Sequence, residues 1–285
     1  MRPFGARLAD AMSAHGPLCV GIDPHASLLD AWGLPDTAAG VRTFALTVLE
    51  AVGGQVAAVK PQSAFFERHG SAGVAVLEEV VAAGRDTETL VVVDAKRGDI
   101  GSTMGGYADA YLRDGSPLAG DALTVSPYLG SGSLAPAVEA ALATGRGLFV
   151  LALTSNPEGR EVQHARDAEG VAVADRVARA AGASNAAELA TTGGDLGSIG
   201  LVVGATIGDA ATRLGVDLSA VRGPLLAPGV GAQGAGAAEL AAVFGDARRA
   251  VLASSSRGVL GAGPDVGALR DAARRAADEA GAALR

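Results

Sequence analysis

Short apolar runs, rich in valine and leucine, constrain the fold of this chain more than any other feature. There are eight of them, at 18–23, 57–62, 90–96, 122–127, 147–154, 196–206, 224–230 and 250–256. They show little alternation of apolar and polar residues, which is typical of strands buried on both faces in a parallel sheet.

Segments with alanine-rich helical spacing lie between these runs. They cover 36–52, 71–84, 102–113, 131–144, 169–181, 236–244 and 265–282, and 183–199 has the pattern of a helix plus a connection. The repeated alternation of strand and helix predicts the α/β class and a (β/α)8 TIM barrel, formed by residues 1–285 as a single domain. A doubly wound parallel sheet is the alternative, but that fold usually has fewer strands.

The composition excludes several classes of protein. Hydrophobic residues make up 49% of the 285 residues, which is enough for a full core, and the net charge of −8 argues against broad nucleic-acid binding. A pocket with a locally positive field can still attract a small anion. The one cysteine, Cys19, excludes an intramolecular disulfide framework. No apolar run approaches the length of a membrane span, and residues 1–16 lack the apolar region of a secretory signal, so we expect a cytoplasmic protein.

Lysine is rare in this chain, and its positions are informative. Of the 23 basic residues only Lys60 and Lys96 are lysines, and both lie at or near the carboxyl ends of predicted strands, where barrels build active sites. An ammonium group offers a compact charge and a proton that can leave, which a guanidinium does not. The alternative to a functional role is that both are ordinary surface lysines that are present by chance. The other polar residues at these strand ends are Asp23, Asp94, Ser155, Gln233 and Arg257.

The densest motif is D-x-K-x-x-D, formed by Asp94, Lys96 and Asp99. Asp94 and Lys96 are two residues apart on a predicted strand, so we expect their side chains on the same face. Neighbouring carboxylates favour the charged form of a lysine. Such a lysine is a well-placed proton donor and a poor Schiff-base nucleophile. The alternative for Asp99 is the N-cap of the next helix, with Ser102 as a competing cap.

A second motif predicts a phosphate site. The glycines of G-x-G-x-x-G, Gly229, Gly231 and Gly234, follow the seventh run, whereas a dinucleotide-binding fold carries this motif after its first strand. In barrels, the loops after strands 7 and 8 often bind phosphate through backbone N–H groups. Arg257 follows the eighth run and can bind phosphate with two parallel hydrogen bonds. For the glycines the alternative is a tight turn without a ligand, and for Arg257 it is a surface ion pair.

The four histidines form no close pair, so no metal site is predicted.

Taken together, several motifs resemble the orotidine 5'-phosphate decarboxylase family, and its longer bacterial subgroup in particular. They are GIDPH, VKPQSAFFE, DAKRGDI, LTSNP, PGVGAQG and SRG, and they extend from about residue 18 to residue 260. The resemblance implies decarboxylation of orotidine 5'-phosphate to uridine 5'-phosphate and CO₂ in pyrimidine nucleotide biosynthesis, with no metal or organic cofactor.

The resemblance also implies roles for individual residues. The charged network of the family corresponds by position to Lys60, Asp94, Lys96 and Asp99, with Lys96 protonating C6 of the pyrimidine. Asp99 would come from the neighbouring subunit of a homodimer with shared active sites, together with Ile100 against the base and Thr103 at the ribose. The other implied contacts are Asp23 and Lys60 to ribose hydroxyls, Ser155 to the pyrimidine edge, and Pro228, Gln233 and Arg257 on the phosphate side.

Three other functions remain open on the sequence. The D-x-K-x-x-D core is shared with Mg²⁺-dependent sugar-phosphate decarboxylases and synthases of the same barrel group, which typically carry an acidic residue where Lys60 stands. A Schiff-base aldolase and a phosphate-binding barrel without catalysis are the further alternatives.

Overall fold

Eight parallel strands form a closed barrel in the computed structural model of the protein, which describes residues 2–230 and 235–285. Each strand pairs with the next one along the chain, and β8 pairs with β1. The strands are β1 (Leu18–Ile22), β2 (Ala58–Pro61), β3 (Leu90–Arg97), β4 (Ala122–Val125), β5 (Gly147–Leu153), β6 (Ile199–Val203), β7 (Leu225–Pro228) and β8 (Val251–Ser255). The predicted TIM barrel is confirmed, and every strand falls on one of the predicted runs, with β3 one residue longer.

The helices surround the barrel or lie in the loops that follow its strands. They are α1 (Phe4–His15), α2 (Ala26–Ala31), α3 (Ala38–Val52), α4 (Ala64–Glu67), α5 (Gly70–Asp86), α6 (Gly101–Leu112), α7 (Ala135–Ala143), α8 (Arg160–Gln163), α9 (Val173–Thr192), α10 (Ala210–Leu214), α11 (Ala237–Phe244), α12 (Arg257–Leu260) and α13 (Val266–Ala283). The short helices α2, α4, α8, α10 and α12 each follow a strand directly. Within the described residues, no helix is both long enough and apolar enough to cross a membrane.

Helix α9 differs from the sequence prediction, which divided this stretch at residue 182. The helix runs without a break to Thr192 and ends at Gly193, whose left-handed conformation (φ 70°) suits glycine. Asparagine is a weak helix former, but the fully buried amide of Asn185 bonds to both backbone groups of Ile199 and to the carbonyl oxygen of Val221. These tertiary bonds favour the helix where local propensity does not.

The amino-terminal end of the barrel is closed by α1, which lies within the residues 1–16 that the sequence analysis considered only as a secretory signal. The side chains of Phe4 and Leu8 are fully buried in the barrel interior. The ring of Phe4 packs edge-to-face against Phe149, with centroids 5.9 Å apart, in space that Gly147 leaves free. The N–H of Gly5 donates to Ser198 Oγ (3.2 Å). Because α1 fills the amino-terminal end of the barrel, the carboxyl ends of the strands are left to form the ligand site.

We expect Phe4→Ala to lower the free energy of unfolding by about 3–5 kcal/mol, because it leaves a cavity in a fully packed interior. Chemical denaturation of the purified protein measures this loss. Val162→Ala, at a side chain that is 40% exposed, is the control and should change stability by less than about 0.5 kcal/mol. Equal effects of the two substitutions would contradict the assignment of α1 to the core.

Candidate active site

A cavity of about 750 Å³ opens at the carboxyl ends of the strands. This is the end of a parallel barrel where strand-following loops converge and active sites are built. Seven of the residues singled out in the sequence line it, and they are Asp23, Lys60, Asp94, Lys96, Pro228, Gly229 and Arg257.

Asp94 is the centre of the charged group in this cavity. Its Oδ2 accepts a hydrogen bond from Lys60 Nζ (2.9 Å), and its Oδ1 accepts one from Lys96 Nζ (2.6 Å). The side chains of Lys60 and Asp94 are each 7% exposed, whereas that of Lys96 is 43% exposed. Both lysines of the chain therefore bind the same buried carboxylate, and Lys96 is the more accessible of the two.

The mutual interactions of these groups fix their charge states. Burial by itself raises the pKa of Asp94, but the ammonium groups of Lys60 and Lys96 outweigh that effect and lower the pKa to about 2. Burial by itself lowers the pKa of Lys60, but the carboxylates of Asp94 and Asp23 outweigh it and raise the pKa above its ordinary value. Asp94 is therefore ionised at neutral pH, and so is Lys60.

The backbone that carries Lys96 is irregular. Lys96 has φ +47°, a left-handed conformation that is unusual for a residue with a side chain, and the register between β3 and β4 shifts between Val93 and Arg97. The sequence predicted a shared face for Asp94 and Lys96 from regular strand alternation. The two side chains do meet, but they do so across this irregularity.

Thr124 on β4 is a member of the group that the sequence reasoning missed. Its hydroxyl donates to Asp94 Oδ1 (2.8 Å) and accepts from the backbone N–H of Lys96 (2.9 Å). The residue is 1% exposed. Its position near the end of the fourth apolar run, on the strand after the one that carries Asp94, was the available signal.

Arg97 is a second residue that the sequence reasoning missed. Its guanidinium lies between the rings of Tyr107 and Tyr111, 5.5 and 5.6 Å from their centroids, and it forms an ion pair with Glu67. Glu67 ends α4, which follows β2. This pair therefore links the ends of the two strands that carry Lys60 and Lys96.

Asp23 follows β1 and adds a hydrogen-bond acceptor to the cavity. Within the described ranges, no donor reaches its buried Oδ1. A buried carboxylate oxygen without a donor is rare in folded proteins and suits a hydroxyl supplied by a ligand. The ring of the neighbouring His25, which also lines the cavity, packs against Phe65 with centroids 4.1 Å apart and an angle of 58° between the ring planes.

The opposite side of the cavity has the features of an anion site. Pro228 ends β7, and Gly229 continues with φ +89°, which suits glycine. Arg257 is the exposed first residue of α12 and makes no ion pair with any residue that the structure describes, so the surface-pair alternative is not supported. Gly231, Gln233 and Gly234 lie outside the described residues.

Four predicted site residues do not line the cavity in this single chain. Ser155 follows β5 and is exposed, as are Ile100 and Thr103 at the start of α6. Asp99 accepts a hydrogen bond from the N–H of Ile100 (2.7 Å), and among the described residues it forms no ion pair, with Lys96 or any other group. Ile100 is the N-cap residue of α6 and no side chain caps the helix, so the capping alternative for Asp99 is wrong.

A model of the Orotidine 5'-phosphate decarboxylase / HUMPS family matches residues 16–272. The chain belongs to this family. A relative from Streptomyces coelicolor that carries the name orotidine 5'-phosphate decarboxylase is 60% identical over 279 residues, which cover 98% of this chain and 97% of the relative.

Solved structures show the same relationship to the orotidine 5'-phosphate decarboxylase family. One from Streptomyces avermitilis, provisionally described as this decarboxylase, has a TM-score of 0.93 and 61% identity, covering 100% of this chain and 96% of that one. The orotidine monophosphate decarboxylase of Leishmania donovani has a TM-score of 0.75 and 31% identity, covering 99% and 98% of the two chains. The resemblance is confirmed, and the chain is an enzyme of this family.

The lowered pKa of Asp94 predicts how stability depends on pH. A carboxyl group whose pKa is depressed by folding stabilises the folded state above its unfolded pKa, and this contribution is lost as the pH falls through the folded pKa. With an ordinary pKa of 3.8 and a folded pKa of about 2, the contribution should shrink by roughly 1 kcal/mol between pH 5 and pH 3. Urea unfolding at the two pH values measures it.

The control for this measurement is the double variant Lys60→Met, Asp94→Asn, which removes both members of the buried ion pair. The wild-type protein should lose about 1 kcal/mol more than this variant between pH 5 and pH 3. Equal losses in the two proteins would mean that Asp94 is not held ionised by folding.

Proposed function

We propose that this chain, as one barrel domain, decarboxylates orotidine 5'-phosphate to uridine 5'-phosphate and CO₂ without a metal or an organic cofactor. The observation that carries the proposal is the Lys60–Asp94–Lys96 group, in which a buried carboxylate binds two ammonium groups and one of these is accessible from the cavity. The names of the family and of the full-length relatives support the substrate.

The chemistry requires stabilisation of a carbanion. When the bond between C6 and the carboxylate breaks, its electron pair stays on C6 and no carbonyl is placed as a simple electron sink. The Lys96 ammonium supplies a fixed positive charge beside C6, which stabilises the developing negative charge electrostatically. One proton then passes from Nζ to C6, which leaves a neutral amine and uridine 5'-phosphate.

Asp94 has two roles in this proposal. Because it is bonded to both lysines, it holds the Lys96 ammonium in place before the substrate binds. Because the two ammonium groups lower its pKa to about 2, it is also ionised before the substrate binds, and in this proposal it stays ionised beside the substrate carboxylate. Repulsion between the two carboxylates favours loss of CO₂, in the manner described as ground-state destabilisation.

The remaining contacts bind the nucleotide away from the reacting carbon. Asp23, whose buried Oδ1 has no donor among the residues that the structure describes, and Lys60 bind ribose hydroxyls. Arg257, Gln233 and Pro228 form the phosphate side, and Ser155 contacts the pyrimidine edge. Binding energy gained at the phosphate contributes to catalysis when it holds the substrate in the reactive position.

The active unit in this proposal is a homodimer, in which Asp99, Ile100 and Thr103 reach the neighbouring site. Three large apolar side chains support it, since Ile100, Tyr128 and Leu129 are 61%, 74% and 53% exposed. They lie on two loops that the hydrogen bond from Ser126 N–H to the Arg97 carbonyl joins (2.8 Å). Adjacent exposed apolar side chains of this size are typical of an interaction surface.

The site chemistry disfavours the Mg²⁺-dependent alternative. A metal of this kind prefers carboxylate oxygens that are free to coordinate it. Both oxygens of Asp94 already accept hydrogen bonds from ammonium groups, and Lys60 occupies the position at which the alternative needs an acid.

We expect purified protein to consume orotidine 5'-phosphate in excess EDTA, measured by loss of the substrate's ultraviolet absorbance. Lys96→Ala should reduce the rate by roughly 10³-fold or more, because it removes both the charge and the proton donor. Lys96→Arg is the matched variant. It keeps the positive charge but does not release a proton at neutral pH, so it should also be severely impaired.

Two outcomes would contradict the metal-free proposal. One is activity that EDTA abolishes and Mg²⁺ restores, and the other is activity that survives both substitutions at Lys96. Circular dichroism and uridine 5'-phosphate binding of each variant serve as controls for folding.

Shared active sites predict complementation between two inactive variants. When Lys96→Ala and Asp99→Ala proteins are mixed and exchange subunits, half of the dimers are hybrids, and each hybrid holds one intact site. Activity should therefore recover to about a quarter of the wild-type value. Proof of subunit exchange with differently tagged proteins, accompanied by no recovery, would place Asp99 in the site of its own subunit.

A further inference from the structure

The hydroxyl of Thr124 connects two separate parts of Lys96. It accepts a hydrogen bond from the Lys96 backbone N–H (2.9 Å) and donates its one proton to Asp94 Oδ1 (2.8 Å). The same Oδ1 accepts from the Lys96 ammonium (2.6 Å). The chain of bonds therefore closes into a ring that runs from the Lys96 amide through Thr124 and Asp94 to the Lys96 side chain.

The ring occurs where the β-ladder cannot hold Lys96. The register between β3 and β4 shifts between Val93 and Arg97, and Lys96 lies inside that shift with φ +47°. The backbone N–H of Lys96 has a side-chain hydroxyl as its partner instead of a strand carbonyl. A strained conformation persists only when its surroundings fix it, and strain of this kind concentrates at functional sites.

The direction of each bond in the ring is determined by chemistry. A backbone N–H and an ammonium group only donate, and an ionised carboxylate only accepts. A threonine hydroxyl has one proton and two lone pairs, so it can accept from the amide while it donates to the carboxylate. A valine of the same shape can do neither, and a serine can do both.

The side chain of Lys96 needs such a constraint. It has four rotatable bonds and is 43% exposed, so the carboxylate contact by itself leaves the ammonium free to follow any movement of its own backbone. With the amide fixed through Thr124 to the same carboxylate oxygen, the two ends of the residue keep one relative position.

We propose that Thr124 is a positioning residue for proton transfer, which fixes the Lys96 ammonium by tying the strained Lys96 backbone to the Asp94 carboxylate. The proposal rests on the proposed function, since it concerns the step in which Lys96 protonates the product carbanion. Thr124 lines the cavity but is only 1% exposed, and its hydroxyl is already bonded to Lys96 and Asp94, so it acts through these two residues and not through the substrate.

The test is steady-state kinetics of Thr124→Val with orotidine 5'-phosphate, together with calorimetric binding of uridine 5'-phosphate. We expect kcat to fall by about 10- to 100-fold, because small displacements of a reacting group cause losses of this size. KM, the binding stoichiometry and the affinity for uridine 5'-phosphate should stay within about twofold. Thr124→Ser, which restores the hydroxyl, should recover kcat to within about threefold of the wild-type value.

Thr89→Val is the matched control for loss of a buried threonine hydroxyl. Thr89 is 3% exposed, precedes β3 at the opposite end of the barrel, and accepts from the N–H of Gly54 (2.7 Å). This variant should lose thermal stability and keep its kcat. If Thr124→Val does not fold, Thr124→Cys, whose thiol is a weak donor, replaces it with the same expected loss of kcat.

Several results would overturn the proposal. Thr124→Val could keep the wild-type kcat, or Thr124→Ser could fail to recover it. Thr89→Val could lose as much kcat as Thr124→Val. Finally, the loss of kcat in Thr124→Val could equal its loss of uridine 5'-phosphate binding sites. Each of these, in a background where the wild-type protein is active, overturns the role of Thr124 alone. A wild-type protein that binds uridine 5'-phosphate and consumes no orotidine 5'-phosphate overturns the proposed function and this role with it.

Discussion

The buried carboxylate of Asp94, shared by two ammonium groups, is the interaction on which the rest of the site depends. A charge removed from water is strongly unfavourable unless partners surround it, and removal of one partner leaves the others uncompensated. Lys60 is as buried as Asp94 and depends on it equally. The arrangement is therefore stable only as a set, and it holds Lys96 beside the cavity before any substrate arrives.

The barrel makes this set possible because it brings neighbouring strands together at one end. Lys60 lies on β2, Asp94 and Lys96 on β3 and Thr124 on β4, and these strands are adjacent in the sheet. The opposite end is filled by α1, whose Phe4 ring packs against Phe149 of β5 and stabilises the fold. The amino-terminal end of the barrel thus contributes to stability and the carboxyl end holds the charged site, as in other parallel barrels.

The cavity also reverses the electrostatic character of the chain. The protein has a net charge of −8, yet among the described residues the cavity is lined by four basic and three acidic side chains. Because field lines concentrate in a concave site, such a local balance attracts a phosphorylated, carboxylated substrate to an acidic protein.

The sequence by itself determined the barrel, because buried parallel strands must be apolar on both faces and the eight runs are visible without a structure. It also placed Lys60, Asp94 and Lys96 at one end, because each lies toward the carboxyl end of such a run. Only the tertiary structure decided the irregular backbone at Lys96, the hydroxyl of Thr124 that supports it, the unbroken helix at Asn185 and the packing of Phe4. These features arise from contacts between segments distant in the chain, and local residue patterns carry no record of which distant atoms meet.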